Sequence, residues 1–181
     1  VNMAIGAWAA GGRAMATTSG GGFALMEEGI SLSAVTETPL VVHLGQRPGP
    51  ATGMATRTEQ ADLELALYAG HGEFPRVILS PGNAREAFEL SRLAFDWADR
   101  YQVPVFILTD EYLLDSVFEV EGLPVDEGSF SHHFVESGPD YLRYRLAEDG
   151  VSPRGIFGNG TGLIRIDSHE HDESGHIEED F

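Results

Sequence analysis

A chain of 181 residues with 42% hydrophobic content is long enough for one domain with a real core and room for an appendage. Its net charge of −18 comes from 29 acidic residues against 11 basic ones, all arginine, so the phosphate backbone of a nucleic acid would be repelled. No apolar run approaches the roughly 18 residues of a membrane span, and the absence of cysteine removes disulfides, thiolate nucleophiles and cysteine-ligated metal or iron–sulfur sites from this chain.

There is no signal peptide and no initiating Met. Residues 1–5 (VNMAI) read as the middle of an apolar helix, so the chain is expected to be a piece of a longer one. A lysine-free, acidic composition fits a high-salt cytoplasm and a G+C-rich genome equally. Residues 4–13 (AIGAWAAGGR) suit a helix whose small side chains let a neighbouring backbone approach. Residues 14–18 (AMATT) then form a short strand candidate, ended by Ser19, Gly20, Gly21 and Gly22. A helix-like run starts at Phe23, and residues 39–44 (PLVVHL) return as a buried strand, which completes one βαβ unit.

A polar, glycine-rich loop follows, residues 45–63 (GQRPGPATGMATRTEQADL), placed between an apolar strand and a helix. In an open α/β sheet, a loop at the carboxyl end of a strand lies where ligands bind. Thr56 and Glu59 have capping-box spacing and predict a helix carrying Leu63, Ala66 and Leu67 and ending at Gly70. Residues 70–75 are a turn and 76–80 (RVILS) a strand. Asn83 and Glu86 repeat the capping-box spacing. Ala87, Phe88, Ser91, Ala94, Phe95, Ala98 and Tyr101 then recur in three- and four-residue steps, the buried stripe of an amphipathic helix. Residues 103–109 (VPVFILT) form a nearly continuous apolar run, as in a strand covered on both faces. After about Ser116 the period is lost, apart from a short strand candidate at 163–166. Residues 117–181 therefore read as an irregular arm or a linker toward a following domain, and 1–116 as the α/β unit.

Arg47 has two readings. Its planar, permanently charged guanidinium suits a bidentate carboxylate clamp, and it also suits an ordinary surface ion pair in an acidic chain. The glycines, prolines and threonines around it describe a shaped loop. The turn Ser19–Gly20–Gly21–Gly22 could bring backbone amides to a ligand. It is not a P-loop, which needs lysine, nor a nucleophile elbow, which would need Gly in place of Thr17. Gly158 to Gly162 reads as a plain turn. His169, His171 and His176 could converge on zinc, or serve as hydrogen-bonding groups in an acidic segment. His43 reads as a satisfied core histidine and His71 as a turn residue open to function.

Four stretches, 14–28 (AMATTSGGGFALMEE), 45–63, 70–75 (GHGEFP) and 103–113 (VPVFILTDEYL), resemble the α subunit of the 2-oxoacid:ferredoxin (flavodoxin) oxidoreductases, in its pyrimidine-binding domain for thiamine diphosphate. Residues 144–153 and 170–180 resemble the same subunit further on. The resemblance implies an open, mostly parallel α/β sheet with flanking helices. It implies oxidative decarboxylation of a 2-oxoacid with coenzyme A and transfer of electrons to ferredoxin or flavodoxin in the cytoplasm. It implies that Arg47, with Thr52 and Thr56, binds the substrate carboxylate, that Ser19 to Gly22 lie at the aminopyrimidine, and that the catalytic acid falls just before Val1. The diphosphate, its magnesium ion and the iron–sulfur clusters would belong to partner subunits, the β subunit first, so that this chain alone would be inactive. Two residues depart from the pattern: Gly21 stands where relatives often have Pro, and Pro48 where they have a small residue. The alternatives are a non-catalytic assembly subunit of the same fold and a metal-binding module built on the histidines.

Overall fold

The computed structural model describes residues 1–123 and 131–179. In chain order the elements are α1 (Asn2–Ala9), β1 (Met15–Ser19), α2 (Gly20–Ala24), α3 (Glu27–Val35), β2 (Leu40–Gln46), α4 (Leu63–Leu67), β3 (Val77–Leu79), α5 (Ala84–Tyr101), β4 (Pro104–Asp110), α6 (Glu111–Asp115), β5 (Val135–Ser137) and β6 (Gly155–Gly160). The first four strands form one parallel sheet in the order β1-β2-β4-β3, and β5 and β6 form a separate parallel pair. The architecture is the expected α/β one. No helix among the described residues is long and apolar enough to cross a membrane.

The apolar runs explain the layers. In β2 and β4, successive side chains point to opposite faces, so an unbroken hydrophobic run feeds two cores. Leu40, Val42 and Leu44 join Phe106 and Leu108 on one face, where they meet Phe23 and Ile30 from α2 and α3. Phe23 and Phe106 touch edge to face, their centroids 5.2 Å apart. Val41, Val105 and Ile107 fill the other face with Trp8 of α1 and with Ala94 and Ala98 of α5.

Helix α5 starts as its sequence predicts: Asn83 Oδ1 accepts the Glu86 amide at 2.9 Å. The Glu86 carboxylate returns to the Gly82 amide rather than to that of the cap residue. The periodic stripe holds at Ala94 and Ala98, but Tyr101 is 44% exposed, because the helix stops at Gln102, which turns into the left-handed region. The buried polar residue of this helix is Asp99, which periodicity does not reveal. Its carboxylate receives Arg13 at 2.9 Å and also the guanidinium of Arg154, whose second nitrogen donates to the Trp8 carbonyl at 3.1 Å. Arg143 enters at the carboxyl end of α3 and donates to the Glu37 carbonyl at 2.7 Å, while the Tyr144 hydroxyl donates to that of Thr36 at 3.2 Å.

Three local expectations are corrected. Thr56 and Glu59 do not open a helix; α4 begins at Leu63 with Asp62 as its N-cap, because residues 57–60 are held elsewhere, as described below. Residues 163–166 are not a strand. Gly158 and Gly160 lie within β6, with φ of +84° and +118°, instead of forming a plain turn. Residues 131–179 carry β5 and β6, and the buried Arg143 and Arg154 dock them.

Asp99→Ala would leave two guanidinium groups without their carboxylate in a largely buried setting, and breaking a buried ion pair from one side costs about 3–5 kcal/mol. Urea titration of wild type and variant should show a loss of this size, with residues 131–160 becoming the first protease target. An unchanged midpoint would mean that Asp99 does not carry the docking of the arm.

Candidate functional site

The strand register sets the site. Ser19 lies opposite Gly45, and Gln46 opposite Asp110, so β1, β2 and β4 end level with one another at their carboxyl edge. Three structures leave from this edge: the Gly20–Gly22 turn into α2, the loop 47–62, and α6. The loop is tied down by polar groups at its C-terminal half. Gln60 Nε2 donates to Asp110 Oδ2 at 2.7 Å, and the Tyr112 amide donates to Thr58 Oγ1 at 3.4 Å. The amide of Asp62 donates to Oε1 of the buried Gln46 at 3.1 Å. Asp110 also caps α6 through the Leu113 amide at 2.8 Å. The Gln60 amide, then that of Leu113, hold the Asp110 carboxyl below its ordinary range.

Within the loop, Gly53 donates to the Pro50 carbonyl and Met54 to that of Pro48, closing a tight turn directly after Arg47. Gly53 is required here: its φ is +55°, and an ideal Cβ would come 1.6 Å from the Pro48 oxygen. Arg47 itself is half-buried, and its guanidinium has no hydrogen-bond or ion-pair partner among the described residues. Thr52 and Thr56 are exposed on the outer part of the loop.

The turn and the loop, apart in sequence, meet here. An ideal Cβ on Gly20 would lie 2.9 Å from both carboxylate oxygens of Asp62, and one on Gly21 would lie 3.4 Å from the Ala51 carbonyl. Ser19 occupies the N-cap of α2 without a side-chain cap bond. The turn is thus packed directly against the loop that starts at the half-buried, unpaired Arg47, and only glycine leaves room for that contact. Burial, then Glu59, pushes the Asp62 carboxyl up, while the nearby Arg47 backbone amide pulls it down. The other carboxylate feature is an orphan: Asp62 Oδ2 is buried and has no partner. The orphaned Asp62 oxygen and the unpaired Arg47 leave a hydrogen-bond acceptor and a cation without partners at this edge, which suits a polar ligand carrying an anion.

The structure thus brings Ser19, Gly20, Gly21 and Gly22 together with the Arg47 loop. Sequence reasoning missed Gln46, Gln60, Asp62 and Asp110; the signal was a glutamine closing an apolar strand and an aspartate at each of two helix starts. It also missed a bridge across three strands. His43 Nδ1 meets Thr17 Oγ1 at 2.8 Å and Nε2 meets Thr109 Oγ1 at 2.8 Å, so this histidine is satisfied as expected, by hydroxyls. His71 is exposed, and its amide donates to Ser31 Oγ. The three C-terminal histidines do not converge. His169 pairs with Asp167, His171 stacks on Tyr144 and bonds to the Val35 carbonyl, and His176 bonds to the Ile177 carbonyl. No group of side chains among the described residues has the arrangement of a metal site. A cavity of about 640 Å³ lies away from the carboxyl edge, between α3, residues 71–75 and 150–152, and the start of β4, with His71 and His171 among its lining residues. A cavity of about 150 Å³ lies at the carboxyl edge itself, lined by Gln46, Gln60, Asp110 and Tyr112 among others.

Residues 1–181 match the family described as pyruvate flavodoxin/ferredoxin oxidoreductase, thiamine diP-binding. The 2-oxoacid:ferredoxin oxidoreductase 2 subunit alpha of Aeropyrum pernix is 43% identical over 188 residues, covering 99% of this chain and 28% of that protein. The 2-oxoglutarate synthase subunit KorA of Methanothermobacter thermautotrophicus is 37% identical over 174 residues, covering 95% of this chain and 46% of that one. A solved structure, 2-oxoglutarate:ferredoxin oxidoreductase from Magnetococcus marinus with 2-oxoglutarate, coenzyme A and succinyl-CoA bound, superposes with a TM-score of 0.86 at 34% identity. It covers 98% of this chain and 31% of its own. The chain spans less than half the length of each of these relatives.

The His43 bridge gives a pH dependence. Burial pushes its imidazole below the ordinary 6.5, so the unfolded chain takes up the proton first as pH falls, and the contribution of His43 to stability is lost on going down through that value. Between pH 7 and 5 the melting temperature of wild type should fall faster than that of His43→Gln. Parallel curves would show that the imidazole is as well solvated in the fold as outside it.

Proposed function

The chain belongs to the thiamine diphosphate-binding family of the pyruvate flavodoxin/ferredoxin oxidoreductases, and on that premise we propose that it is the substrate-anchoring, pyrimidine-side part of a 2-oxoacid:ferredoxin oxidoreductase α subunit. The observation that carries this reading is the unpaired, half-buried Arg47 in the loop that packs against the Gly20–Gly22 turn. In a chain of net charge −18, an arginine left without a carboxylate is reserved for one that arrives from outside.

Arg47 would take the carboxylate of the 2-oxoacid through paired N–H donors, remaining charged at every working pH. Thr52 and Thr56 would add hydroxyl donors from the outer part of the loop. The ties from Gln60, Thr58 and Asp62 fix the loop before substrate arrives, so its ordering cost falls outside the binding step. Ser19, Gly20, Gly21 and Gly22 would hold the aminopyrimidine of thiamine diphosphate, which supplies, when bound, an electron sink for the loss of carbon dioxide. Departures at Gly21 and Pro48 affect how tightly turn and loop are held. Coenzyme A would receive the acyl group, and ferredoxin or flavodoxin the electrons, in the cytoplasm.

The β subunit is the proposed partner, carrying the diphosphate, its magnesium ion and the iron–sulfur clusters, the last of which are ordinarily held by cysteine, absent from this chain. Exposed apolar side chains at Leu25 (89%), Met54 (62%) and Tyr112 (71%), on α2, the loop and α6, support a covering surface at this edge.

The carboxylate is bound in the ground state and leaves as neutral carbon dioxide, so the grip of Arg47 belongs to binding more than to the transition state. In the assembled enzyme, Arg47→Ala should raise KM for the 2-oxoacid more than it lowers kcat, with a total loss in kcat/KM worth about 2–5 kcal/mol. Steady-state kinetics equal to wild type for pyruvate, 2-oxoglutarate and branched-chain 2-oxoacids would remove the assignment.

A further inference from the structure

His43 is the one polar residue of the run 40–44 (LVVHL), and its neighbours Val42 and Leu44 are fully buried. Its ring makes two hydrogen bonds of equal length, Nδ1 with the Thr17 hydroxyl of β1 and Nε2 with the Thr109 hydroxyl of β4, each 2.8 Å. The three side chains form one line across three strands. The two ends of the line differ. Thr17 is exposed, on the strand that ends the order of the sheet. Thr109 is only 6% exposed and lines the cavity of about 150 Å³ at the carboxyl edge. That cavity is shared with Gln46, just before the Arg47 loop, with Gln60 within the loop, and with Asp110, to which Gln60 is bonded.

Packing alone would be met here by valine or isoleucine, as in the rest of the strand. A hydroxyl–imidazole–hydroxyl line offers something else, because a hydroxyl both donates and accepts while a neutral imidazole donates at one nitrogen and accepts at the other. The same heavy atoms therefore allow two proton arrangements. In one, Nδ1–H donates to Thr17 and Thr109 donates to Nε2; in the other, every direction is reversed. Burial holds the ring below its ordinary 6.5, so it is neutral at neutral pH and can take a proton at one nitrogen as it gives one from the other.

We propose that Thr109, His43 and Thr17 form a proton path from the carboxyl-edge cavity to the exposed edge of the sheet. The proposal rests on the reading of the chain as part of a 2-oxoacid oxidoreductase, whose reaction leaves one proton over. The 2-oxoacid anion and the thiol of coenzyme A give a thioester, carbon dioxide, two electrons for the acceptor and one H⁺, the last coming from the thiol. That proton enters at Thr109. The Thr109 oxygen takes it up and passes its own hydroxyl proton to Nε2, Nδ1 gives its proton to the Thr17 oxygen, and the Thr17 hydroxyl releases one to water. One proton goes in and one comes out, and the ring ends neutral in its other tautomer. Exchange with water returns the first tautomer without changing the proton count.

The test is a single turnover of the assembled holoenzyme, with pyruvate, 2-oxoglutarate or a branched-chain 2-oxoacid, whichever it turns over, and with methyl viologen as electron acceptor. Viologen takes up electrons without protons, so its colour reports oxidation, while a pH-indicator dye in weak buffer reports the proton before carbon dioxide hydrates. In wild type the two signals should rise together. His43→Gln keeps an amide that can bond to both hydroxyls but cannot take a proton at one atom while giving one from another. A positioned proton carrier contributes roughly 10²–10⁴-fold, so in this variant the dye should lag the viologen by about tenfold or more. Thr109→Val should show the same lag, and Thr109→Ser, which keeps the hydroxyl, should not. A merely structural role would slow both signals together, and that result overturns the proposal, as do coincident traces in His43→Gln or equal lags in Thr109→Ser and Thr109→Val. Should the His43 or Thr109 variants fail to assemble, Thr17→Val at the exposed end decides: a lag is expected, and coincident traces overturn the path. Wild-type enzyme that reduces no viologen with any of these 2-oxoacids removes the reading of function itself. Viologen reduction with coincident traces in every variant leaves that reading standing and removes only the path.

Discussion

One buried carboxylate ties the chain together across its length. Asp99, on the inner face of α5, holds Arg13 from the connection after α1 and Arg154 from the segment leading into β6. The desolvation of such a cluster costs several kcal/mol per ion, and the Coulomb attraction between its members offsets that only when every partner is in place. Burial pushes the Arg154 guanidinium down, and Asp99 is the first influence that pushes it back up. The neutral alternative, an apolar contact at the same place, would bury area without specifying which residues meet. A carboxylate with two guanidinium partners admits few arrangements, so it fixes how the arm runs over α1 and α5.

With that side of the sheet covered, the other constraint is register. In a parallel sheet, level strand ends put all outgoing loops at one edge, and here the ends of β1, β2 and β4 differ by no more than one residue in the ladder. The glycine turn and the arginine loop can then be neighbours although α2, α3 and most of β2 lie between Ser19 and Gln46 in the chain. Glycine at positions 20 and 53 follows from this crowding: one carbon more at either would enter the Asp62 carboxylate or the Pro48 carbonyl. The polar ties of the loop go to strand-end residues, Gln46 and Asp110, whose positions the apolar strands have already fixed.

The elements set by hydrophobic pattern were legible in the sequence. The runs PLVVHL and VPVFILT became β2 and β4, and the Asn83–Glu86 pair opened α5, because burial on both faces and a local cap are each decided within a few residues. What failed was decided elsewhere in the chain. Thr56 and Glu59 have the spacing of a cap, but their segment is held by strand ends far along the sequence, and a local signal cannot outweigh such ties. Asp99 reads as a solvent-facing charge until its partners arrive from residues 13 and 154, and the arm reads as irregular because two buried arginines, not an apolar stripe, dock it. In the site, Arg47 was visible as a candidate from its loop. Asp62 was hidden because the capping-box spacing of Thr56 and Glu59 put it inside a helix, whereas it stands before one.

The half-buried state of Arg47 also has a physical reading that joins the site to its surroundings. An exposed guanidinium–carboxylate pair about 4 Å apart is worth only about 1 kcal/mol in water, and about 4 kcal/mol where the effective dielectric constant is near 20. On this chain alone the arginine stands between those limits, with Thr52 and Thr56 fully in solvent. A second protein surface over Leu25, Met54 and Tyr112 would exclude water from the loop and strengthen the same two bonds without any new contact to the substrate. On the proposed reading, the grip of Arg47 on a carboxylate would therefore depend on assembly: the chain fixes where the charge sits, and a covering surface would set how much that charge is worth.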